Sequence, residues 1–202
     1  KNISNPRMSR ALNTRFAALL TLLFMLGLAT ALAQTRGDRQ GYFQVRSAST
    51  HLVEGVQVLD ARLQLVLSDE ALNALNNGVP LTIELNLEVI RIRRFMPDAV
   101  DAELDLRYEL EYRPLSQRYI VRNLNSSNQD SFATLYSALN SLGRLENLPV
   151  VDDAILEPDS RYRMRLQALL STQQYPAPLR MLFFWRDQWQ LKSDWFEWQL
   201  ER

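Results

Sequence analysis

Residues 100–112, VDAELDLRYELEY, alternate without interruption. Val100, Ala102, Leu104, Leu106, Tyr108, Leu110 and Tyr112 fall on one side, and Asp101, Glu103, Asp105, Arg107, Glu109 and Glu111 on the other. Successive side chains of an extended strand point to opposite faces, so this pattern describes a strand with one buried and one wetted face. A helix would scatter the same residues around its circumference. The segment therefore needs partner strands beside it and an apolar layer beneath it, which commits the chain to antiparallel sheet.

The preceding stretch, 81–94 (LTIELNLEVIRIRR), alternates too, but its phase slips. Leu81, Ile83, Leu85, Leu87 and Val89 share one parity, Ile90 and Ile92 the other. A one-residue slip turns over every later side chain unless an extra residue absorbs it, so a β-bulge is expected at Val89. With a hairpin loop at 96–100, Ile92 faces Leu104, Ile90 faces Leu106, and Arg93 and Arg91 face Glu103 and Asp105. Beyond the bulge Leu87 meets Tyr108, Leu85 meets Leu110 and Glu88 meets Arg107, with Glu84 against Glu111 as the one poor pair. A turn at 113–116 returns strand 117–124, setting Tyr119 opposite Tyr112 and Val121 opposite Leu110. Residues 55–67 and 161–170 alternate likewise, through Leu59, Ala61, Leu63, Leu65 and Leu67, and through Tyr162, Met164, Leu166, Ala168 and Leu170. A last strand is expected near 189–200. Ser68 caps a short helix over 69–75, with Gly78 and Pro80 as its stop. A second helix is expected over 131–142, ended by Gly143, and a third near 178–184. The expected fold is mainly β: an antiparallel β-sandwich or half-barrel with long twisted hairpins and two or three short connecting helices.

The N-terminal end has a different character. Phe16–Ala33 is an apolar run of 18 residues without a charge, preceded by Arg10 and Arg15 and ending Ala31-Leu32-Ala33. A basic start, an apolar middle and small residues at the cleavage positions describe a secretory signal peptide over 8–33. An uncleaved anchor is the alternative. Residues 1–7 precede the natural initiator Met8 and read as non-native or as an over-extended start. Residues 34–41, QTRGDRQG, have no apolar side chain. The flexible lead-in is drawn to residue 44, and a single β-rich domain over 45–202. The domain is therefore expected to be exported.

Charge follows from processing. Of 23 basic residues, Lys1, Arg7, Arg10 and Arg15 lie in the leader, which leaves 19 against 23 acidic residues. That balance gives no reason to expect nucleic acid, and ties the membrane to the chain only through an uncleaved leader. The sequence has no cysteine, which excludes lipid attachment at a processed N-terminus, disulfides, thiolate nucleophiles and cysteine metal sites.

Catalytic sets are missing as motifs. The one histidine, His51, has no Gly-x-Ser-x-Gly partner, and no His-Glu-x-x-His or Gly-rich phosphate loop occurs. No cofactor and no enzyme activity are expected. Asp152, Asp153, Glu157 and Asp159 form an acidic loop that offers hard oxygen ligands, but its spacing misses the calcium-loop pattern and its Gly. The four tryptophans, Trp185, Trp189, Trp195 and Trp198, crowd the C-terminal end with Phe183, Phe184 and Phe196. Trp189, Leu191 and Trp195 have one parity and Phe196, Trp198 and Leu200 the other. Such a segment is either buried on both sides or presents one side to a partner or apolar ligand, so Trp189, Trp195, Phe196 and Trp198 are the candidate binding residues.

Four phrases, VEGVQVLDARLQLVLSDEALNALNNGVPLTIEL (53–85), LRYELEYRPLSQRYIVRNLN (106–125), LEPDSRYRMRLQALL (156–170) and LKSDWFEWQL (191–200), resemble an exported bacterial family. It is numbered 4390 among the domains of unknown function, and the resemblance spans about 45–200. It implies a periplasmic or envelope location in a Gram-negative bacterium and carries over no catalytic residue. It also hints at a sensor kinase's periplasmic domain as partner. The expectation is an envelope protein-interaction module. A carrier of a lipid or other apolar ligand is the alternative, and a carboxylate-based hydrolase the third reading.

Overall fold

Alternation does what it must: the chain forms two antiparallel sheets. The computed structural model describes residues 39–171, 189 and 191–201. In chain order they form β1 (Tyr42–Val53), β2 (Val56–Val66), α1 (Asp69–Asn76), β3 (Leu81–Ile92), β4 (Ala99–Arg113), β5 (Arg118–Asn123) and β6 (Gln129–Phe132). Then come α2 (Leu135–Leu142), β7 (Arg144–Asp152), a 3-10 turn (Asp153–Ile155), β8 (Arg161–Ser171) and β9 (Phe196–Gln199). One sheet has the order β1-β2-β7 and the other β6-β5-β4-β3-β8-β9, and neither closes into a barrel. The apolar stripes of both sheets, Leu59–Leu67 and Leu81–Val89 among them, share one core. Among the described residues no helix is long and apolar enough to cross a membrane.

The β3–β4 hairpin has the expected faces from Leu81 to Val89 and a different register, while Ile90, Ile92 and Val100, expected on the apolar face, lie on the opposite one. Leu87 lies opposite Leu104, Leu85 opposite Leu106, Ile83 opposite Tyr108 and Leu81 opposite Leu110. The expected pairs were displaced by four residues here and by six beyond the slip. The connecting loop is 93–98 rather than 96–100. Up to Val89 an even displacement leaves each side chain on its expected face, so alternation cannot detect it. The bulge also belongs to the other strand. Val89 faces Ala102 while Ile90 faces Val100, so the extra residue is Asp101 of β4. β3 itself runs against β8 from Thr82–Ser171 to Ile92–Arg161 without a shift. Its change of parity reflects burial on both faces: Val89 is 1% exposed and Ile90 3%.

β8 supplies the reason for the register. Glu88 stands directly opposite Glu103 of β4, which a two-stranded reading penalises. From the other side Arg165 of β8 reaches Glu88 at 2.6 Å, and Arg163 reaches Asp98 at 3.1 Å. Arg107 takes Glu84 at 3.7 Å instead of Glu88. The β4–β5 register agrees with the expectation, with Tyr112 opposite Tyr119 and Leu110 opposite Val121.

β1 and β2 turn tightly about Glu54 (φ 51°) and Gly55 (φ 85°). Two consecutive positive φ values match the right-handed twist of the flanking strands. β1 already begins at Tyr42, within the segment expected as lead-in, because Phe43 is in the core at 4% exposure. α1 starts where Ser68 accepts a hydrogen bond from the Ala71 amide at 3.2 Å. α2 is shorter than expected. Residues 129–132 pair with β5 as β6, and Thr134 caps the helix by accepting from the Ser137 amide at 3.1 Å. After α2, Gly143 packs where a Cβ would lie 2.4 Å from the Leu63 carbonyl oxygen, so glycine alone permits the close approach to β2. β7 follows it, unsignalled by clean alternation because it carries Pro149 and left-handed Asn147. The expected helix at 178–184 lies outside the described residues.

Candidate functional site

The C-terminal segment returns along the free edge of β8. Leu170 donates its amide to the Leu191 carbonyl at 2.7 Å, and Ser193 to that of Ala168 at 2.8 Å. Lys192 bridges to Leu169 and Phe196 to Leu166, so four steps on one strand match three on the other. One extra residue is therefore inserted between Lys192 and Phe196. Ser193 compensates the broken ladder: its Oγ accepts from the Ala168 amide at 3.0 Å and donates to the Asp194 carbonyl at 2.8 Å. The Gln167 side chain adds a bond to the Ser193 carbonyl at 2.9 Å.

This bulge accounts for the double parity of 189–200. Leu191 pairs with core-facing Leu170, and after the insertion Phe196 and Trp198 align with core-facing Leu166 and Met164. Trp195 is displaced to the other side, where the Arg165 guanidinium lies 4.3 Å from its ring centroid. Arg165 is anchored in turn, with Nε and Nη2 at 2.8 and 2.6 Å from Glu88 Oε2. A cation held over an indole face adds of order 0.5–1 kcal/mol at a partly exposed site, and here it also fixes the ring.

The four candidate binding residues thus separate. Trp189 is 6% exposed and part of the core. Trp198 is half-buried and donates its indole N–H to Thr50 Oγ1 of β1 at 3.2 Å, tying the two sheets together. Phe196 packs against Trp198 with ring centroids 6.1 Å apart. Trp195 and Phe196 border a cleft of about 380 Å³ whose opposite wall is Tyr42–Val45 of β1, with Asp194 at its rim. Trp185, Phe183 and Phe184 lie outside the described residues.

The walls of this cleft are sheet edges. Among the described residues β1 pairs only with β2, and β9 only with β8. Every second residue of β1 therefore directs its backbone amide and carbonyl away from its partner. A register shift between Val45 and Ser47 makes Arg46 the extra residue, and its Nε bonds Gln64 Oε1 at 2.9 Å. The β1 wall up to Gln44 falls within the expected lead-in, although alternation begins at about Tyr42. The signal was present in Tyr42-Phe43, two aromatics in a stretch otherwise free of apolar residues.

The acidic loop does not converge. Asp152 Oδ1 accepts from the Ala154 amide at 2.9 Å, and Asp153 Oδ1 from Gln57 Nε2 at 3.2 Å. Glu157 forms an ion pair with Arg91, and Asp159 is an exposed residue at φ 63°. Among the described residues no group of three His, Cys, Asp or Glu side chains could hold a metal ion. His51 Nδ1 lies 3.4 Å from Asp60 Oδ2 on the surface. Two other clefts have different linings. One of about 210 Å³ is bordered by Tyr108, Asn123, Asp130 and Arg144, and burial raises the Tyr108 phenol above its ordinary pKa of 10.0. The other, about 290 Å³, lies between Leu63–Leu65 and α2. Asp130 borders the first of these clefts and Asp194 the aromatic one.

These features define a β-rich domain of two antiparallel sheets with an aromatic cleft between strand edges that have no further partner strand among the described residues. A family model described as a domain of unknown function (DUF4390) matches residues 41–199, and the chain belongs to that family. No curated protein and no solved structure matches the chain.

Proposed function

We propose that the chain is an exported envelope protein whose folded part is a non-enzymatic binding module, capturing an extended segment of another envelope protein along the edge of β1 beside Trp195. The observation that carries the reading is the cleft itself: a strand edge unpaired among the described residues on one side and a clamped tryptophan on the other. An added strand gains affinity from backbone hydrogen bonds and specificity from side-chain pockets, and an aromatic anchor at the edge of such a pocket is a common hot spot. Asp194 at the rim favours a segment with a basic residue next to an apolar one. The leader-like run over 16–33 supports export, and the family resemblance makes a sensor kinase's periplasmic domain the first partner to try.

The carrier reading finds less support. It needs an apolar cavity between the sheets, and there Leu59, Leu75, Leu81, Ile83 and Leu110 pack at 0% exposure. The described clefts open to the surface.

A photo-crosslinking residue at Gln44, which is exposed beside the cleft, tests the proposal in envelope preparations. The expected result is one partner, crosslinked through a contiguous peptide, with capture reduced at least tenfold by Trp195→Ala and amide exchange of residues 43–47 slowed in the complex. Equal capture by Trp195→Ala, with β1 amides exchanging at unchanged rates, would sink it.

A further inference from the structure

The loop joining β3 to β4 projects past the end of its sheet with the sequence Arg93-Arg94-Phe95-Met96 at its apex. Phe95 is 90% exposed and Met96 63%. Ile92 and Val100 at the root of the loop are exposed as well. Arg94 holds its guanidinium 5.5 Å from the Phe95 ring centroid. The root is rigid. Asp98 accepts from the Arg93 amide at 3.2 Å and pairs with Arg163 at 3.1 Å, while Asp101 pairs with Arg91 at 3.1 Å and accepts from the Tyr162 hydroxyl at 2.9 Å. The acids nearest the loop are thus occupied by its base, and the positive charge of Arg93 and Arg94 is left at the apex.

We infer that this hairpin tip seats in the interface of an anionic lipid bilayer, with Phe95 and Met96 entering the headgroup–acyl boundary and Arg93 and Arg94 meeting lipid phosphates. The shape selects a bilayer over a protein. A convex loop with a few apolar side chains buries far less than the roughly 1,000 Å² that a specific protein interface needs. A bilayer closes around a projecting loop from all sides, and apolar residues flanked by basic ones are what its interface rewards. The net negative charge of the whole domain does not oppose this, because surface attraction decays within a Debye length of about 8–10 Å and the apex charge is local.

The absence of cysteine permits a clean test on the full chain. Met96→Cys and, at the other end of β4, Leu115→Cys each create one site for an environment-sensitive fluorophore, and circular dichroism checks that each variant keeps its strand signal. With phosphatidylglycerol–phosphatidylcholine vesicles the label at position 96 should shift to shorter wavelength and be quenched by lipid-borne quenchers. With phosphatidylcholine alone it should respond weakly, and at position 115 not at all. Arg93→Gln and Arg94→Gln should each weaken the apparent partition about five-fold, from about 1 kcal/mol per basic residue near an anionic surface. An aqueous signal at position 96 in anionic vesicles overturns the inference. So does an equal response at 115, which would report the N-terminal apolar run alone, or a response that needs added envelope protein. Trp195→Ala should leave this readout unchanged, so failure here and failure of the cleft reading are separate results.

Discussion

β3 and the returning segment 191–200 carry the same signature in sequence, an apolar stripe that changes parity partway, and they fold in opposite ways. β3 lies between β4 and β8 and passes through its change of parity as a regular strand against β8. It can do so because both of its faces are covered there, with Val89 and Ile90 each buried. Among the described residues the C-terminal segment has β8 on one side only. It keeps Phe196 and Trp198 facing the core by inserting a residue, and Ser193 replaces the lost ladder bond. A parity change thus has two physical solutions: double burial at the centre of a sheet, and a bulge at its edge. A central strand has neighbours on both sides to resist a kink, whereas an edge strand bends at little cost.

Substitutions can test the distinction. The largest effect is expected at Leu85 of β3, 1% exposed beneath the sheet. Leu85→Ala should lower unfolding free energy by about 3–4 kcal/mol in denaturant titration, the cost of a buried leucine plus its cavity. Ile90→Ala probes the other face of the same strand and should cost about 2 kcal/mol. A loss below about 0.5 kcal/mol, the range of ordinary surface changes, would mean that this face is open and that β3 is not doubly buried. Ser193→Ala should cost about 1–2 kcal/mol by leaving the Ala168 amide without its acceptor. It should also speed exchange of that amide while leaving β3 amides protected. If exchange at Ala168 is unchanged, the serine does not hold the bulge. Trp195→Ala should be the mildest for folding, below about 1 kcal/mol since it removes one cation–aromatic contact from a partly exposed ring. Its main consequence is expected in partner capture, and a large stability loss would assign Trp195 to the core instead.

The same contrast explains how far the sequence could be read. The faces of β2 and β8, of β3 up to Val89 and of β4 from Ala102 followed directly from alternation, as did the β4–β5 register, where two aromatics and a short turn leave no competing alignment. Ser68 was visible as a cap because a serine directly precedes an acidic, helix-forming run. The β3–β4 register was not visible. Matching two strands in isolation rewarded Glu88 against Arg107, whereas a third strand, distant in sequence, brought Arg165 to Glu88. The start of α2 was misplaced because Phe132 fits a helical stripe as well as it fits a strand, and only β5 alongside decides. The candidate site was half legible. Trp195 and Phe196 stood out by crowding, but their opposite wall comes from residues 42–45, about 150 positions away in the chain. No local pattern records that proximity.

By itself, the sequence determined which side chains face inward. That is a property of each residue and its immediate neighbours, because the direction of Cβ reverses at every step of an extended chain. The tertiary structure decided which strands lie beside one another, by how many residues they slide, and whether a change of parity means a bulge or a second buried face. Sliding by two or four residues leaves every side chain on its own face, so the hydrophobic energy of one pair hardly changes. Only the third strand, with its arginines and its second apolar surface, separates the alternatives.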